Sequence, residues 1–197
     1  SFTRNWLVRK NPGRLPVPFA RFDIIVVAAG ALALLGWTVA PHLYATSICL
    51  AVAGVLHLVR LLRWAGERTF GERLLLILHI GYAFIPLGFV FSALAAFGYV
   101  PASAGVHAWM VGGAGIMTLA VMTRATLGHT GQQLSASVAT QAIYAAIITA
   151  AVARIAAVLV PASGAGLLHL AAFAWAAAFL GFAVAFGPLL LGSGRRA

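Results

Sequence analysis

The side chains in this chain best suited to chemistry are its six histidines, because a neutral imidazole ligates haem iron, copper or zinc. Four of them, His79, His107, His129 and His169, lie in or beside long apolar runs, where an ionisable group is costly enough to suggest a function. Two guanidinium groups accompany them: Arg124 closes the run that His107 opens, and Arg154 lies inside another. Either could snorkel to an interface or clamp an anion such as a haem propionate. The stretch from His107 to Gly131 concentrates these features. At helical spacing His107, Met110, Ala114, Met117, Val121 and Arg124 form one stripe, so two polar anchors share a face with two thioethers. His107 and Arg124 are then ~25 Å apart along the axis, too far to serve one metal centre.

Each histidine taken alone also fits a simpler role, reaching headgroups or a neighbouring carbonyl from near a helix end. His42, in a loop, and His57, one turn from Arg60, fit that role best. Met110 and Met117 suit packing better than copper ligation. Gly112, Gly113 and Gly115 suit close helix approach, or clearance for a flat macrocycle.

The elements that must position these residues follow from composition. The chain is 62% hydrophobic and 8% charged, far from the roughly one-quarter charged content of soluble domains. It therefore reads as an all-α integral membrane protein. A basic arm, residues 1–22, holds Arg4, Arg9, Lys10, Arg14 and Arg21, with Pro12-Gly13, Pro16 and Pro18 breaking helix. Six apolar spans follow, at about 23–40, 43–62, 74–97, 104–125, 137–160 and 165–191, then a basic tail, 192–197. Pro86 is expected to kink the third span. Placing the spans alternately puts every basic residue except Arg154 on one side, so both termini are expected to be cytoplasmic, in a bacterial inner membrane. By that topology His57, His79 and His129 lie toward the cytoplasmic face, and His42, His107 and His169 toward the other.

Several function classes drop out. The net charge of +10 sits in short flanks between spans, a topology signal and not a nucleic-acid surface. A single cysteine, Cys49, excludes an intrachain disulfide and any Cys-based zinc or iron–sulfur site, and with no C-x-x-C-H motif any haem would be b-type. There is no phosphate-binding glycine loop and no H-E-x-x-H. The three acids, Asp23, Glu67 and Glu72, stand at span margins or in a loop, so neither a hydrolytic carboxylate pair nor transport driven by a buried acid is supported. No signal peptide is expected, since the first charged stretch runs into a span without a cleavage site.

Three segments carry a resemblance: Ser1-Phe-Thr-Arg-Asn-Trp6; Leu78-His-Ile-Gly-Tyr-Ala-Phe-Ile-Pro-Leu-Gly88; and Met117-Thr-Leu-Ala-Val-Met-Thr-Arg-Ala-Thr-Leu-Gly-His-Thr-Gly131. With the His107-Ala108 lead-in, the chain resembles the NnrS family, polytopic membrane proteins described as haem- and copper-containing and connected with the response to nitric oxide. The resemblance implies a C-terminal half, whose partners would be the bilayer, the other half of the same protein and nitric oxide or a related ligand. It carries over His79, His107, Arg124 and His129, without dividing them between haem b and copper. The positions in turn suggest His79 with His129 near Arg124 on one side, and His107 with His169 near Arg154 on the other. A histidine-lined transporter and a haem-b electron-transfer subunit are the alternatives, and a sensor or protective binder fits as well as an enzyme.

Overall fold

The computed structural model describes residues 2–11 and 13–192; Pro12 of the arm and residues 193–197 of the basic tail lie outside the described residues. It is all-helical among those residues: α1 (Phe2–Lys10), α2 (Arg21–Val39), α3 (Tyr44–Leu62), α4 (Arg73–Ala96), α5 (Ser103–His107), α6 (Ile116–His129), α7 (Val138–Leu159) and α8 (Gly164–Gly192). A π-helical segment, Ala108–Gly115, joins α5 to α6 into one rod. Short 3₁₀ turns, Gly66–Arg68 and Pro161–Ser163, follow α3 and precede α8. Six helical rods are long and apolar enough to cross a membrane, which makes this a multi-pass membrane protein.

Local chemistry sets the helix starts. The first turn of a helix leaves backbone N–H groups without intrahelical acceptors, and side-chain oxygens can supply them. The Asp23 carboxylate accepts the Ala20 N–H at 3.0 Å, Glu72 accepts the Leu74 N–H at 3.2 Å, and Ser137 Oγ accepts the Thr140 N–H at 3.2 Å. Gly98 and Gly131, at φ +81° and +68°, allow the chain to turn after α4 and α6. Helix α4 runs unbroken through Pro86.

The bundle is built around α4. Over its most apolar stretch 56% of its residues are buried, against 22% for α2 and for α8, so α4 is the axis and those two are lipid-facing walls. One core cluster joins α4 to α2 and α3 through Ala33, Leu50, Ala53, Phe89 and Ala93. The other joins it to α6, α7 and α8 through Ile77, Phe84, Ile116, Leu119, Ile147 and Phe182.

Two expectations change. The arm is not simply broken by its prolines: α1 forms ahead of them and docks back on the bundle, with Leu7 fully buried and Trp6 against Gly71. The stripe from His107 to Arg124 does not keep to one buried face of the rod. Met110, Ala114 and Val121 on it are exposed, and the buried side of the rod carries Ala108, Gly112, Leu119 and Thr123. Lipid tails and a protein core are equally apolar, so apolar spacing alone does not tell the outward side from the inward one. The π segment, with bonds to the fifth residue instead of the fourth, also breaks the 3.6-residue register between His107 and Arg124.

Candidate functional site

A cavity of about 710 Å³ opens where the arm meets α2, α3, α4 and α6. That volume lies within the usual range for small-molecule and cofactor pockets, roughly 300–1,000 Å³. The arm forms one wall with Phe2, Arg4, Val17 and Phe19; the bundle forms the other with Asp23, Arg60, Trp64, His79, Tyr82 and Met117. His79 and Tyr82 lie three residues apart on α4, which puts them on one helical face.

The arm is fastened over this space by a polar clasp. Arg68 donates to the Asn11 carbonyl at 3.0 Å, to Asn11 Oδ1 at 2.9 Å and to the Arg14 carbonyl, while Asn11 Nδ2 returns a bond to the Arg68 carbonyl at 3.1 Å. Arg14 pairs with Glu67, and the Val17 N–H donates to the Arg63 carbonyl at 3.0 Å. Gly13, at φ +140°, takes a backbone shape that other residues rarely adopt. Any Cβ there would also press on the Arg68 guanidinium.

His79 is the buried imidazole of the cavity, 8% exposed. Its Nδ1 lies 2.9 Å from the Leu75 carbonyl. A carbonyl only accepts, so Nδ1 is the donor, and in a neutral imidazole with that tautomer Nε2 is the ligating nitrogen. Trp64 stands edge-on, ring centroids 6.3 Å apart, and Gly66 makes room for the ring.

Beside it runs a polar chain that sequence reasoning passed over. Arg60 Nε donates to Asp23 Oδ1 at 3.0 Å, and its Nη1 donates to Tyr82 Oη at 3.0 Å. Tyr82 Oη in turn lies 2.7 Å from His57 Nδ1. With Arg60 donating to the phenol oxygen, the phenol proton is directed at His57 Nδ1, so Tyr82 Oη both accepts and donates at the junction. The guanidinium also lies near the faces of Trp64 and Tyr82, 5.1 and 5.7 Å from their centroids. His57 is buried, stacked on Phe89 at 5.2 Å, and its Nε2 occupies the space left by Gly30. It is therefore an interior partner and not the interfacial histidine its place near a helix end suggested. The one available signal was the combination of Asp23, Arg60 and His57 near span ends of the same side.

The other candidates lie elsewhere. His129 is exposed at the end of α6, and Arg124 holds its guanidinium 4.2 Å from the centroid of Phe2, an arm contact. His107 is half-buried near the far end, within the electrostatic reach of Arg154. His169 is exposed, with Nδ1 donating to the Ala165 carbonyl at 2.8 Å. His129 is not among the residues that line the cavity with His79. Among the described residues no three His, Cys, Asp or Glu side chains come together as a metal-binding group.

The comparison with protein families bears on this arrangement directly: the model of the NnrS protein matches residues 1–193. The chain belongs to the NnrS family. No curated protein and no solved structure matches it. NnrS membership fits a membrane protein related to the nitric oxide response. It also places the cavity within the matched residues, its arm wall and its bundle wall alike.

Against haem b, a cofactor for which the family is known, the residues of the cavity fit. They offer one imidazole with a free Nε2, a thioether at Met117, aromatic and aliphatic walls, and guanidinium groups at Arg4 and Arg60. For copper, no three His, Cys, Asp or Glu donors gather around one point among the described residues.

Proposed function

We propose that this chain is a haem-binding bundle of a membrane protein of the nitric oxide response, with haem b in the arm-covered cavity on His79 and nitric oxide or a related small molecule as the ligand. The observation that carries the reading is His79 itself: a buried imidazole, tied through Nδ1 to the Leu75 carbonyl, on a residue that lines a cavity of about 710 Å³. Bound there, haem would supply an iron able to take a diatomic ligand. The protein's part is to orient and to exclude water. Leu75 sets the ring's tautomer, Gly66 and Trp64 hold its plane, and Phe2, Val17 and Phe19 of the arm cover the space.

The test is a visible spectrum and a pyridine-haem assay on the purified protein, with His79→Ala compared to His107→Ala. His79→Ala is expected to lose or strongly shift the haem band, and His107→Ala, His129→Ala and His169→Ala to keep it. A band that survives unchanged in His79→Ala overturns the assignment. Reduction of the haem by a quinol would instead favour an electron-transfer role.

A further inference from the structure

We propose that Arg60 is the anion anchor of this cavity, gripping a carboxylate of the group bound there; the proposal rests on the haem reading and names the part of the ligand that decides its fit. The geometry is that of a guanidinium fixed in place with bonding capacity to spare. An arginine has five N–H donors in a planar fork. In Arg60 one is taken by Asp23 and one by Tyr82, and no further acceptor is found for the others among the described residues. The Asp23 carboxylate cannot turn away to serve another cation without losing the Ala20 N–H that holds its second oxygen at 3.0 Å. Tyr82 is braced by His57 at 2.7 Å. The plane is further confined by the rings of Trp64 and Tyr82. Little rotamer freedom therefore remains to be lost when an anion binds, which is the condition under which a guanidinium recognises a carboxylate most effectively.

Position supports the same conclusion. Arg60 and His79 line one cavity and flank one residue: Trp64 lies 5.1 Å from the Arg60 guanidinium and 6.3 Å from the His79 ring. A ligand held by His79 at one point thus meets a fixed cation beside it. Burial raises the strength of such a contact, since the Arg60 side chain is only 15% exposed. Arg124, the cation that the sequence favoured on this side, is engaged with Phe2.

The experiment titrates the full chain, purified without haem, with haem b and with its dimethyl ester, which keeps the macrocycle and iron but removes both carboxylate charges. The diester is expected to bind about ten- to a hundred-fold more weakly, the range for charge-assisted hydrogen bonds. In Arg60→Gln the two are expected to bind within a few-fold of each other, and Arg60→Lys to fall between, because a point charge replaces the fork. Equal affinity in the unaltered protein overturns the anchor while leaving the haem reading intact; so does a gap that persists undiminished in Arg60→Gln. Failure of both ligands to bind the unaltered protein overturns the haem reading itself. The comparison of ligands on unaltered protein does not depend on any variant folding.

Discussion

Gly66 has no side chain because the ring of His79 occupies the place where one would go. Gly66→Ala is therefore expected to push that ring off its bond to Leu75 and to cost about 1–3 kcal/mol, the usual range for overpacking. Thermal unfolding in detergent and the haem spectrum would read the two effects separately. At Arg60 the energetics are those of a mostly buried pair. Replacing it by Leu leaves the Asp23 carboxylate, on a side chain 4% exposed, without its cation. A loss of about 3–5 kcal/mol is expected, and Asp23→Leu with Arg60→Leu together should recover a large part of it. A double change no better than Arg60→Leu alone would show that the guanidinium supports the fold through its rings and Tyr82, and not through the charge of Asp23.

Among the elements, the π segment and α4 are fitted to each other by missing side chains. A Cβ on Gly112 would fall on the ring of Phe84, and one on Gly88 on the indole of Trp109, whose Nε1 donates to the Ile85 carbonyl at 3.1 Å. Gly112→Ala is expected to destabilise by about 1–3 kcal/mol. Gly128→Ala, in α6 with nothing within 4 Å, should stabilise by up to about 1 kcal/mol through helix propensity alone. The pair makes an internal control for one melting experiment. The arm is an element of a different kind, held mainly by the Arg68 clasp and by Leu7. Arg68→Ala should raise hydrogen exchange across residues 2–19 while leaving exchange in α4 unchanged.

For the molecule as a whole, six crossings would place both ends of the bundle on one side, and the distribution of basic residues predicts that this side faces the cytoplasm. In a Cys49→Ser background, a membrane-impermeant thiol reagent applied to intact cells is expected to label Ala102→Cys, between α4 and α5, and to spare Gln133→Cys, between α6 and α7. The reverse pattern would invert the bundle.

Much of this was legible in the residues. Six apolar runs separated by basic or proline-containing links specify six helical rods, because a backbone in lipid must satisfy its own hydrogen bonds and a helix does so within one segment. His79 stood out as a candidate by type and depth, and the family could be read from the three segments that carry the resemblance. What tertiary structure alone decided was the company His79 keeps. Asp23, Arg60 and Tyr82 come from three helices, and the arm that closes over the cavity lies far from His79 in sequence. Apolar periodicity is silent on these neighbours, since the face toward lipid and the face toward protein are built from the same side chains. A polar group's role inside a bundle is set by which partner reaches it, and that depends on how the helices pack.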